Sequence, residues 1–159
     1  MKRAVWFVSI LVLLTSCMDI PYFTESKSVD ESGWLSKDTL EFNFTIIDPS
    51  NKFKGSIDLR HNGDYPYSNL YLFIDITYPN NMHRLDTLEC ILADNRGRWY
   101  GSGLGDMVSH RIEYLPAIQF PLEGHYQMNI SHGMRRDPIE EITDLGLRLE
   151  NLSLESSRN

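Results

Sequence analysis

The chain has 159 residues, with 15 basic and 22 acidic side chains, a formal net charge of −7 and two cysteines. Apart from Lys2-Arg3, no basic run exists beyond Arg135-Arg136, so nucleic acid and anionic membrane surfaces are poor partners. The length suits one domain with its own core, and two cysteines exclude a disulfide framework.

The first segment reads as a targeting signal. Lys2 and Arg3 supply a positive start, Ala4 to Leu14 is apolar, and Leu14-Thr15-Ser16-Cys17 follows. Charge, a short apolar run and small residues at a cut site are the order of a secretory signal. The run falls short of the roughly 20 apolar residues that span a bilayer. An aliphatic residue, two small ones and Cys fit the bacterial lipobox, in which the small residues admit the peptidase and the thiol takes the lipid. Residues 1–16 are therefore predicted as a lipoprotein signal peptide and Cys17 as the lipidated first residue, carrying acyl chains such as palmitate. Without Lys2 and Arg3, 13 basic side chains remain against 22 acidic ones, a net charge of −9. With Cys17 acylated, Cys90 stands alone and reads as a small buried hydrophobe.

Residues 17–33 are polar, broken by Pro21, and are predicted as a tether with a reach of at most about 55 Å. Tyr22 and Phe23 are odd in a tether and suggest docking on the domain or on a partner. From Trp34 the pattern has period two, which marks half-buried strands. Leu40, Phe42, Phe44 and Ile46 form the first. Asp48-Pro49-Ser50-Asn51 turns into a strand with Phe53, Ile57 and Leu59. After the turn His61-Asn62-Gly63-Asp64, the longest alternation runs through Leu70, Leu72, Ile74, Ile76 and Tyr78. Leu88, Cys90 and Leu92 follow, and Asp94-Asn95-Arg96-Gly97 reads as a hairpin loop into Arg98-Trp99-Tyr100. Gly101 to Val108 reads as irregular. Ile112 to Phe120 is a strand interrupted by Pro116, hence bulged or at an edge. Tyr126, Met128 and Ile130 mark the next strand, and Leu145, Leu147 and Leu149 the last. About eight short strands with turns every 8 to 12 residues predict an all-β antiparallel β-sandwich over residues 34–152, with a jelly roll as one arrangement. Residues 153–159 read as a disordered tail.

Motifs that carry chemistry are scarce. Gly101-Ser102-Gly103-Leu104-Gly105 lacks a third fingerprint glycine, because Asp106 stands there, and lacks a Walker Gly-Lys-Ser/Thr. It reads as a bent segment after a strand. His61, His83, His110, His125 and His132 form no tight ligand spacing, so no metal is assigned. Glu140, Glu141 and Asp144 read as a solvated acidic surface rather than as opposed glycosidase carboxylates. No catalytic residue and no cofactor follow. Trp34, Trp99, Tyr100, Tyr65 and Tyr67 keep open glycan or ligand binding by ring stacking, which an exposed coplanar pair would favour. Asp38-Thr39-Leu40 and Asp86-Thr87-Leu88 look like the O-glycosylation sequon of exported Bacteroidetes proteins, with Thr39 and Thr87 as acceptors.

Several words of sequence recur together: Leu59-Arg60-His61-Asn62 before Tyr65-Pro66-Tyr67-Ser68-Asn69-Leu70; Asp86-Thr87-Leu88-Glu89 before Leu92-Ala93-Asp94; Gly97-Arg98-Trp99-Tyr100-Gly101-Ser102-Gly103-Leu104-Gly105-Asp106; Phe120-Pro121 before Gly124-His125-Tyr126 and Met134-Arg135; and Ile142 with Asp144-Leu145-Gly146-Leu147-Arg148-Leu149-Glu150. Behind a lipobox, this order and spacing resembles the gliding motility-associated lipoprotein GldH family of Bacteroidetes, over Trp34 to Glu150. One departure is Glu141, where the family commonly has Gly. The resemblance implies a non-enzymatic accessory lipoprotein of the outer membrane that supports gliding motility and the linked type IX secretion machinery beside other envelope lipoproteins. It brings no small-molecule substrate. Turns that carry aromatics and glycine are where a partner surface is expected: Tyr65 and Tyr67 on one loop, Trp99, Tyr100 and Asp106 on another. Only one acidic residue, Asp19, follows Cys17 within Met18 to Tyr22, which favours the periplasmic face over the cell surface.

Overall fold

A computed structural model describes residues 20–155. The predicted signal peptide, Cys17 and the last four residues of the tail lie outside that span.

Among the described residues nine strands form: β1 (Phe23–Ser28), β2 (Leu40–Ile46), β3 (Lys52–Asn62), β4 (Asn69–Thr77), β5 (His83–Ile91), β6 (Ser102–Leu104), β7 (Met107–Gln119), β8 (Gly124–His132) and β9 (Ile142–Asn151). They make two antiparallel sheets, one in the order β1-β9-β3-β7-β6 and the other β2-β8-β4-β5. Apart from the β4–β5 and β6–β7 hairpins, each strand passes to the opposite sheet. With the short β6 set aside, this is the jelly-roll order, so the predicted sandwich and its jelly-roll form both hold.

Period-two alternation explains the packing. Phe42, Phe44 and Ile46 of β2, Leu70, Leu72, Ile74 and Ile76 of β4, and Tyr126, Met128 and Ile130 of β8 are buried from one sheet. Phe53, Ile57 and Leu59 of β3 and Leu145, Leu147 and Leu149 of β9 meet them from the other. Each such side chain contributes roughly 1.5–3 kcal/mol on leaving water. Phe44 stacks on Tyr126 at 7°, and Phe120 meets Phe44, Phe53 and Tyr126 edge-on. Cys90 is buried in this core, as expected, and burial pushes its thiol up to about 12.

Pro116 sits where the β3–β7 register shifts, around Gly55 opposite Leu115. Past Ser109, β7 has only β3 as a neighbour, so proline there removes no second ladder bond. β5 runs further than its apolar signal because its inward positions include a charged pair, Arg84 and Asp86 at 2.9 Å. The Tyr114 hydroxyl also donates to Asp86. Inward charges of this kind blunt an edge strand against chance pairing.

Three expectations are corrected. The tether of residues 17–33 is not free throughout: residues 23–28 are β1, paired in register with β9 from Phe23–Leu149 to Ser28–Asp144. Tyr22 is fixed as well. Its hydroxyl donates to the Thr45 carbonyl at 2.8 Å, and its ring lies 4.9 Å from Phe53. Polar composition hid the strand because an edge strand needs few apolar residues when its neighbour supplies the hydrogen bonds. Residues 101–108 are not irregular but hold β6 and its hairpin to β7, while Arg98-Trp99-Tyr100 contributes a single bridge, Ala93 to Trp99. Leu152–Glu155 form one helical turn at the head of the predicted tail.

The register sorts the loops into two ends. One end gathers Ile20, the turn after β2, the β4–β5 turn and the β7–β8 connection, since Ile46 pairs Gly124, Lys52 pairs Gln119 and Phe23 pairs Leu149. The other gathers the loops after β1, β3, β5, β6 and β8, since Asn62 pairs Met107, Asn69 pairs Ile91 and His61 pairs Ile142.

Candidate interaction surface

The two loops singled out from sequence meet at the second end. Asp94 organises the first turn of one. Its Oδ1 accepts the backbone N–H groups of Arg96 at 2.8 Å and Arg98 at 3.0 Å, and its Oδ2 accepts Arg98 Nε at 2.7 Å. These bonds, the Arg98 backbone bond first, hold the Asp94 carboxyl below the usual carboxylate range. The Tyr100 N–H donates to the Leu92 carbonyl at 2.8 Å, which closes the hairpin.

Trp99 then turns back onto the body. Its ring meets His61 edge-on with centroids 4.5 Å apart. His61 and His110 are buried with Nε2 atoms 3.0 Å apart, and His61 Nδ1 lies 2.7 Å from the Asn62 carbonyl. A carbonyl only accepts, so His61 carries its proton on Nδ1, and His110 must donate from Nε2. Burial lowers both pKa values, that of His110 to about 4, helped there by the neighbouring His61. The pair is thus neutral at physiological pH. The β3 alternation Ile57, Leu59, His61 contained the signal for one member. The partner lies 49 residues away, a distance that no local pattern spans.

The glycines are spacers. A Cβ on Gly101 would stand 2.6 Å from the Ser109 carbonyl oxygen and 2.8 Å from the His110 ring, and one on Gly103 would stand 1.8 Å from the Met107 carbonyl oxygen. Gly105 turns the hairpin at φ 65°. The Trp99-x-Gly101-x-Gly103 stretch therefore lets β6 lie against β7 and the histidine pair. The Gly63 N–H donates to the Asp106 carbonyl at 2.7 Å and ties the two loops together.

This geometry divides the five expected surface residues. Tyr65 is 3% exposed and its hydroxyl donates to the Asn69 carbonyl at 3.0 Å; it is core, and its place in the surface is withdrawn. Tyr67, edge-on to Tyr65 at 5.6 Å, and Trp99 are half-buried supports. Tyr100 and Asp106 are exposed. Leu104, missed in the sequence, is 93% exposed at the hairpin tip. Thr39 and Thr87 are both exposed, one before β2 and one on the outer face of β5.

Other groupings are structural. Ser36 Oγ donates to Asp137 Oδ2 at 2.6 Å, and buried His132 Nε2 lies 3.5 Å from Asp137 Oδ1 without hydrogen-bond geometry. The carboxylate stands between serine and histidine, so the imidazole has no path to the hydroxyl proton that a nucleophilic triad needs. The set staples the loop after β8 to the segment after Trp34. Asp144 is held by Arg60 Nε at 2.8 Å and Glu140 by Arg136 at 3.2 Å, so the acidic cluster is dispersed among cations. Among the described residues no group of three or more His, Cys, Asp or Glu could hold a metal ion. Among the same residues the nearly coplanar pair of aromatic side chains, Phe44 and Tyr126, is in the core.

Fold and surface define the class: a small jelly-roll sandwich that presents an exposed apolar hairpin tip, with Tyr100 beside it, at one end. The sequence profile of the GldH lipoprotein family matches residues 21–149, and the chain belongs to that family. It is 31% identical over 151 residues to the gliding motility lipoprotein GldH homolog of Christiangramia forsetii, covering 91% of this chain and 92% of that protein. It is 32% identical over 146 residues to the gliding motility lipoprotein GldH of Flavobacterium johnsoniae, covering 87% and 90%. Likeness to solved structures is distant. A family GH115 4-O-methyl-α-glucuronidase aligns with TM-score 0.39 and 12% identity, over 86% of this chain and 15% of that one. A family 35 carbohydrate-binding module from Clostridium thermocellum aligns with TM-score 0.37 and 11% identity, over 81% and 90%.

Proposed function

We propose that the protein is a non-enzymatic, lipid-anchored component of the outer membrane, acylated at Cys17, that binds other envelope proteins of a gliding motility machine linked to type IX secretion. Family membership supports the motility assignment through the names its relatives carry. The observation that carries the binding role is the β6–β7 hairpin. Leu104 and Asp106 are exposed at its turn and Tyr100 just before it, while Trp99 and the glycines pack beneath. Rigid presentation lowers the ordering cost of binding, and an exposed apolar tip with an aromatic neighbour suits an anchor residue. The periplasmic face of the membrane remains the favoured side, and Thr39 and Thr87 the proposed glycan acceptors.

The test is crosslinking and pull-down of the native lipoprotein. Tyr100→Ala with Leu104→Ala loses the captured envelope proteins at unchanged melting temperature. Capture that survives the double variant removes the hairpin from the interface. The Trp99→Ala and Tyr67→Ala pair is the poorer choice, because both side chains pack against Tyr65 or His61 and their loss perturbs the fold.

A further inference from the structure

We infer that the opposite end of the sandwich, around Ile47, Met82 and Leu122, rests on the lipid bilayer itself. The inference builds on acylation of Cys17, and it concerns which residues the anchor brings to the membrane.

Chain length gives the first argument. Tyr22 is latched beside β2, with its hydroxyl on the Thr45 carbonyl and the Ile47 N–H donating to it at 3.3 Å. Cys17 precedes Ile20 by three residues, which reach about 11 Å at full extension. An acyl chain that leaves Cys17 for the hydrocarbon therefore holds this end within a headgroup layer's depth of the membrane. The predicted long tether would have left the domain free to tumble; β1 removes that freedom.

The surface at this end fits the contact. Ile20 is 85% exposed, Ile47 71% and Met82 64%. Beside them, Tyr78, Met82, Pro121 and Leu122 line an open, mainly apolar groove of about 390 Å³, with Asn80, His83 and Arg84 as its polar lining. Gly124, at φ 126°, lets the β7–β8 connection close against Pro79, where a Cβ would come within 3.1 Å, so the two groove loops form one face. The chain's acidity gives no electrostatic attraction to anionic lipid, so the contact is apolar and shallow, supported by the anchor. A lipid surface is preferred over a protein partner here because the covalent link already places one against this face.

The experiment uses the acylated mature protein in phosphatidylethanolamine vesicles containing phosphatidylcholine brominated near the top of its acyl chains. The native mature tryptophans, Trp34 and Trp99, stand at the other end, so Met82→Trp and Ile47→Trp each report on the tip and Leu104→Trp on the far end. The expected result is loss of emission at positions 82 and 47 and none at 104. Equal emission with and without bromine at both tip positions overturns the inference, as does quenching at 104. Mass spectrometry of the same preparation separates the two claims. A Cys17 without lipid sinks the anchor and this inference together, whereas an acylated protein with unquenched tip tryptophans sinks the inference alone.

Discussion

Glu141 holds a backbone conformation that suits another residue. Its φ is 69°, in the left-handed region where a Cβ crowds the following carbonyl at a cost of roughly 1–2 kcal/mol. The conformation is imposed by the join to β3, where the Asn62 N–H donates to the Glu141 carbonyl at 2.8 Å and the β3–β9 register shifts one step further on. Glycine has no such cost, so Glu141→Gly stabilises the domain by about 1 kcal/mol, read as a higher urea midpoint at unchanged slope. The departure from the family pattern was visible in the sequence; the strain behind it was not. The His61–His110 pair gives a second prediction at this scale. Both folded pKa values lie below the ordinary histidine value, so the unfolded chain binds more protons on the acid side of it. Stability is fully present above about pH 6.5 and is lost as pH falls towards 4. His132, lowered chiefly by burial, adds to the same fall. Melting temperature therefore drops between pH 7 and pH 4.5, and the drop is smaller in His110→Gln.

Among the elements, the β6–β7 hairpin depends on missing side chains. Gly103→Ala places a methyl inside van der Waals contact with the Met107 carbonyl and forces β6 off β7 at a local cost of more than about 2 kcal/mol. Because β6 is a three-residue edge, the core survives. The expected readout is fast amide exchange confined to residues 102–109, with partner capture lost. Alternation made the buried elements legible: β2, β3, β4, β8 and β9 announce themselves through apolar side chains at alternate positions. The elements that escaped are the edges. β1 and β6 draw their hydrogen bonds from β9 and β7 rather than from any apolar face of their own, so residues 23–28 read as tether and 101–108 as loop. Tyr65 misled for the converse reason. Its loop neighbours Pro66 and Ser68 are polar or turn-forming, while its ring fills space beside His61, 5.3 Å away.

At the scale of the whole molecule, the sandwich has two unlike ends. Ile20, three residues after Cys17, lies at the end bearing Ile47 and Met82, and Tyr100, Leu104 and Asp106 stand at the other. Sequence alone supplied both landmarks, the lipobox and the glycine-rich segment. It could not place Ile20 and the glycine-rich segment at opposite ends, because that follows from the crossing order of the strands. The shortened tether matters most here. With β1 in the sheet, the proposed anchor and the proposed partner surface fall at opposite ends of the sandwich. Site-specific photo-crosslinking in native cells tests this most directly, with the reactive side chain placed at Leu104 in one strain and at Met82 in another. Adducts to envelope proteins are expected from position 104, and adducts to lipid, without protein, from position 82. Protein adducts from position 82 with none from position 104 would contradict it.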